Sequence, residues 1–92
     1  MAILLVSDAA EDELAQYDQV IQRLEATGHG QPPGRRFHVA ARNGDGYLVV
    51  DLWESQEDLD RFLLMLLPAL ADAGGSHSQP RTYPVHNIIE GS

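Results

Sequence analysis

Residues 37–55 read FHVAARNGDGYLVVDLWES, and this stretch constrains the fold more than any other. Two runs rich in branched and aromatic residues flank Asn-Gly-Asp-Gly, a strong signal for a tight reversal between antiparallel strands. Strands are expected over 36–42 and 47–54. Symmetric closure gives one register, whether the loop counts two residues or four. Phe37 then faces Leu52, Val39 faces Val50, and Ala41 faces Leu48. On the other side His38 faces Asp51, Ala40 faces Val49, and Arg42 faces Tyr47. Side chains alternate along a strand, so these are two separate faces. One is uniformly apolar. The other carries His38, Arg42, Tyr47, Asp51 and Trp53.

The flanking sequence supplies the remaining elements. Residues 2–7 are a short apolar run that reads as a buried strand. Asp8 is expected to cap a first helix, with Glu11 completing a capping box and Asp12 and Glu13 in the first turn. Leu14, Tyr17, Ile21 and Leu24 recur at helical spacing and line one face. Gly28 is expected to end that helix, and GHGQPPG to form a loop. Ser55 caps a second helix, with Asp58 at the box position, running to about residue 73. Leu59, Phe62, Leu63, Leu66 and Leu70 are its core stripe. Leu64, Met65 and Leu67 make it apolar almost all round, so an interface or a cavity roof is expected there. Pro68 should kink or split it, and Gly74 and Gly75 should stop it. A last strand is expected over 81–90, with Pro84 favouring a sheet edge.

The order β-α-β-β-α-β with right-handed crossovers gives an α+β, ferredoxin-like domain over residues 1–92: a four-stranded antiparallel sheet with both helices on one face. The other face is left bare. The apolar hairpin set is expected under the helices. The mixed set, His38, Arg42, Tyr47, Asp51 and Trp53, is expected on the bare face, enclosed when two sheets meet.

Composition narrows the function classes. The chain has no cysteine, which excludes a disulfide framework and a thiolate zinc site and suits a cytoplasmic protein. A net charge of −8, with six arginines and no lysine, argues against nucleic acid as a partner. The apolar start lacks a basic leader region. The run FLLMLLPALA is far shorter than the roughly 20 residues a membrane span needs, so no membrane contact is expected. The four histidines show no spacing suited to a metal, and none is expected.

FHVAARNGDGYLVVDLWESQEDLDRF, with PVHNIIEG near the end, resembles the dimeric α+β-barrel superfamily, in the branch of antibiotic biosynthesis monooxygenases. The resemblance spans nearly the whole chain in element order. It implies a homodimer formed through the open sheet faces, a cavity for a small apolar or aromatic ligand, and no cofactor. That superfamily includes cofactor-independent oxygenases of polycyclic phenols, haem-degrading enzymes and polyketide cyclases. Trp53 matches a Trp of the haem-degrading relatives. Ser7 stands where their Asn is expected, however, and residues 61–73 hold no His, so the resemblance disfavours haem degradation.

Candidate site residues follow. His38 opposite Asp51 can be a general base whose tautomer the carboxylate fixes, or a polar pair that sets strand register. Trp53 can wall a flat ligand or simply pack. Arg42 with Tyr47 can contact a phenolate or carboxylate, or form a solvated cation–π pair. Met65 can roof a cavity, being adaptable, or pack around the proline. His86 or Asn87 can face the cavity, and His86 is taken as the pocket member. His29 and His77 are expected at the surface. The functional expectation is a cofactor-independent, monooxygenase- or cyclase-like enzyme of aromatic or polyketide-like substrates. The alternative is a non-catalytic binding or accessory protein.

Overall fold

A computed structural model describes residues 1–9, 14–44, 46–72 and 80–91. Four strands and two helices follow in the order β1 (Ile3–Ala9), α1 (Leu14–Ala26), β2 (Arg35–Asn43), β3 (Gly46–Trp53), α2 (Gln56–Asp72) and β4 (Arg81–Pro84). The sheet is antiparallel, with strand order β2-β3-β1-β4. This is the ferredoxin-like α+β arrangement. Among the described residues no helix is long and apolar enough to cross a membrane.

The hairpin register is the one the sequence implies. Phe37 pairs with Leu52, His38 with Asp51, Val39 with Val50, Ala41 with Leu48 and Arg42 with Tyr47. Asn43 pairs with Gly46, and Gly44 takes a φ of 60°, which glycine adopts without steric cost. Asp45 lies outside the described residues. A bulge between Arg35 and Phe37 brings Arg35 opposite Trp53 and turns Arg36 outward to Glu90, 3.0 Å away.

The helix ends follow from local chemistry. Gly28 has φ 83°; its N–H reaches the Glu25 carbonyl, and the His29 N–H reaches the Leu24 carbonyl. These two bonds satisfy carbonyls that the helix itself leaves open. At the start of α2 the Asp58 N–H donates to Ser55 Oγ at 3.2 Å, and Ser55 Oγ donates to Asp58 Oδ2 at 2.9 Å. Gly34, at φ 87°, lies so close to the Asp58 carboxyl that a Cβ there would overlap it. Only glycine lets the loop close on this cap.

Several expectations are corrected. Asp8 is not a helix cap. It lies within β1, opposite Leu48, and holds Arg81 at 3.0 Å. Glu11, Asp12 and Glu13, Gly74 and Gly75, His77, and the side chains of Leu14 and Leu70 lie outside the described residues. Pro68 does not split α2. Pro68 and Leu64 are both exposed, so water can take the Leu64 carbonyl that proline leaves free. The last strand ends at Pro84 rather than residue 90, and residues 85–90 are not strand. β4 is a sheet edge, where a proline costs the ladder least.

The largest correction concerns the two faces. Trp53 is 0% exposed and packs on Phe62 of α2, with ring centroids 5.3 Å apart. Tyr47 is buried and packs on Tyr17 of α1 at 5.2 Å. Asp51 is 5% exposed. The mixed set therefore lies on the helix side. Phe37 and Val39, expected beneath the helices, are 53% and 54% exposed on the opposite face. Alternation fixes which residues share a face, but not which face the helices cover. The core is Ile3, Leu5, Val20, Leu24, Trp53, Leu59, Phe62 and Ala69.

Candidate active site

Four side chains from three elements form one hydrogen-bonded line beneath the helices. Tyr17 comes from the inner face of α1, His38 from the middle of β2, and Asp51 and Trp53 from alternate positions of β3. His38 Nδ1 lies 2.5 Å from Asp51 Oδ1. Trp53 Nε1 donates to the other carboxylate oxygen, Oδ2, at 3.3 Å. Tyr17 Oη lies 2.7 Å from His38 Nε2.

Donor chemistry orders the protons along this line. Both Asp51 oxygens act as acceptors, as an ionised carboxylate requires. Nδ1 must then carry a hydrogen, which leaves Nε2 of the neutral imidazole as an acceptor. The Tyr17 hydroxyl donates to it. Asp51 is thus a buried carboxylate with both oxygens partnered, which is what permits it to sit among apolar side chains. Tyr17 also stacks on the imidazole, with ring centroids 5.9 Å apart and an interplanar angle of 6°.

The electrostatics hold Tyr17 in its phenol form. Burial raises its pKa above the ordinary 10.0, the Asp51 and Asp18 charges raise it further, and Arg35 opposes them. Arg35 itself is fixed by a 2.9 Å bond to the Gly30 carbonyl, with its guanidinium over the Phe62 ring. His38 is half-buried, with its side chain 21% exposed, so the line reaches toward solvent at its Tyr17–His38 end.

The other sequence candidates fall elsewhere. Arg42 is exposed near the hairpin turn. His86 and Asn87 are both exposed, and neither joins the line, because β4 has ended before them. Met65 lies on a small cleft of about 130 Å³ between α2 and the loop after α1, together with His29, Pro32, Arg61 and Phe62. His29, expected at the surface, is half-buried there. Leu64 and Leu67 are exposed. Tyr17 was assigned to the helix core stripe and missed as a site residue. Its one signal was a hydroxyl within an otherwise aliphatic stripe.

The likenesses found for this chain are structural. No protein-family model matches it, and no curated relative does. SnoaB, a cofactor-independent oxygenase from Streptomyces nogalater, superposes with a TM-score of 0.66 at 20% identity, covering 96% of each chain. A Deinococcus radiodurans protein provisionally named an antibiotic biosynthesis monooxygenase gives 0.65 at 15% identity, covering 100% of this chain and 99% of its own. A similarly named Chloroflexus aurantiacus protein gives 0.59 at 21% identity, covering 99% and 100%. At such identities the likeness is one of fold: this chain shares the ferredoxin-like α+β arrangement with these proteins.

Proposed function

We propose that this protein is a cofactor-independent enzyme that removes a proton from a phenolic or enolic small molecule at His38. The observation that carries this reading is the line from Tyr17 through His38 and Asp51 to Trp53. A buried carboxylate on Nδ1 fixes the tautomer that leaves Nε2 basic, and it stabilises the imidazolium formed when Nε2 takes a proton. The substrate anion can then cyclise or transfer electrons to dioxygen. In the oxygen case the substrate is the reductant, one oxygen atom enters the product, and the other leaves as water. SnoaB's description as a cofactor-independent oxygenase supports that case by analogy of fold.

The reacting site belongs to one protomer, between α1 and the sheet. Dimerisation is a separate proposal, in which two copies close their open sheet faces on each other. Phe37, Val39 and Tyr83 lie exposed on that face, around half-buried Leu4, Val6, Leu48 and Val50. A continuous apolar surface of this kind calls for a partner.

A second reading has its own support. Both His38 ring nitrogens already have partners within the chain. That is how a purely structural polar cluster looks, and it would suit a non-catalytic small-molecule-binding protein. Replacing His38 with Ala decides between them. In the enzyme reading, turnover of tricyclic phenols, followed by oxygen uptake and product chromatography, falls by about 10²–10⁴. An unchanged rate in a folded variant leaves only the binding role.

A further inference from the structure

We propose, on the acid–base reading of His38 and Asp51 above, that Tyr17 is itself a catalytic residue: its oxygen accepts the substrate's O–H proton while its own proton passes to His38 Nε2. The geometry leaves few other routes. Nε2 is the one basic position on the imidazole, and the Tyr17 hydroxyl already holds it at 2.7 Å. Direct access would require the Tyr17 phenol to leave a site where it stacks on His38 and packs at a 59° tilt against Tyr47. The hydroxyl donates only one hydrogen, and its lone pairs remain able to accept another.

The step balances. The substrate O–H bond breaks and leaves its electron pair on the substrate oxygen. A new O–H bond forms at Tyr17 as the old one breaks, and an N–H bond forms at Nε2. The substrate becomes an anion, Tyr17 stays neutral, and His38 becomes a cation beside Asp51. No tyrosinate intervenes. Burial and the Asp51 and Asp18 charges disfavour that anion, with Arg35 alone opposing them. The ligand class is thereby narrowed to small molecules with an ionisable phenol or enol hydroxyl, presented end-on to Tyr17 from the side on which His38 keeps its 21% exposure.

The test uses dithranol, a tricyclic phenol, under argon, with stopped-flow detection of its coloured anion. Tyr17→Phe keeps the stacked ring and removes only the hydroxyl. We expect it to slow anion formation about a hundredfold, near the low end for a positioned acid–base group, and His38→Ala to slow it at least as much. Rates in mixed light and heavy water add a measure that a packing role would not move. The wild type should show a curved dependence, with two protons in flight, and Tyr17→Phe a linear one. A Tyr17→Phe rate equal to or above wild type, with His38→Ala impaired, overturns the relay and leaves the His38 reading standing. Absence of the anion with the wild type, or equal rates for all three proteins, overturns both. Near-ultraviolet circular dichroism of Tyr17→Phe checks the fold. Should that variant misfold, difluorotyrosine at position 17 replaces it, and an unchanged rate there also overturns the relay.

Discussion

The two faces of the sheet are built from the same strands yet solve opposite problems. The helix-covered face buries a carboxylate, an imidazole, an indole and two phenols. The open face carries Phe37, Val39 and Tyr83, with little polarity to match water. A simple inside–outside rule would exchange them. The covered face tolerates polarity because the donors of its polar line meet acceptors: Tyr17 meets His38, and both His38 and Trp53 meet Asp51. The open face is apolar because, in the proposed dimer, it too is an interior. Polarity alone therefore does not tell a core from a surface. Whether the polar atoms are partnered, and by what, does.

The sharpest way to break that contrast is to empty the covered face. Trp53 is wholly buried against Phe62 and anchors one oxygen of Asp51. Trp53→Ala is expected to cost about 3–5 kcal/mol, a large share of the roughly 5–15 kcal/mol that holds a small domain together. Urea denaturation measures this. A loss below about 1 kcal/mol would mean the indole is not a core residue.

Next in size is the polar line itself. Asp51→Ala strands the His38 Nδ1 hydrogen and the Trp53 indole hydrogen together. An unsatisfied buried donor costs about 1–3 kcal/mol. Asp51→Asn can still accept from one of the two, so it should fall between Ala and the wild type in the same denaturation series. Equal stability for Asn and Ala would show that Asp51 does not hold its partners by accepting from them.

These residues also show how far the sequence reached. The hairpin register was legible, because Asn-Gly-Asp-Gly fixes the closure and alternation does the rest; His38 opposite Asp51 follows directly. The caps at Ser55 and Gly28 were legible from local chemistry. The side of the sheet that meets the helices was not. Both sets contain large apolar groups, and the partner that makes the polar set buriable, Tyr17, is 21 residues from His38 and on another element. The end of the last strand was equally hidden. Pairing of β4 depends on how much of β1 lies beside it, and Pro84 already faces Ile3 near the start of β1.

A smaller effect separates the covered face by pH. The folded state holds the Tyr17 proton more tightly than the unfolded chain does. The associated stability is complete below the ordinary phenol value of 10.0 and is lost as pH rises through the higher folded value. Tyr17→Phe has no such proton. Its stability relative to the wild type should therefore rise on going from neutral to strongly alkaline solution, as read by urea midpoints. A constant difference across that range would place the phenol in a water-like setting.

The smallest effect on the single subunit should come from the open face, and there the contrast is most exposed to refutation. Val39 is 54% exposed at the centre of β2, opposite Val50. Val39→Asp adds a charge where one protomer already meets water, so the subunit should stay within about 0.5 kcal/mol of the wild type, measured where it is dilute enough to be alone. The same charge at a closed dimer interface would be desolvated without a partner, which is strongly unfavourable. Sedimentation should thus find the variant monomeric at concentrations where the wild type is paired. Its His38–Asp51 line, lying on the other side of the strand, should be undisturbed. A variant that still pairs would remove the open face as the contact, and the apolar set on it would then need another occupant. A variant that unfolds would mean that Val39 already contributes to the interior of the lone subunit, and the division between the two faces would fail at its centre.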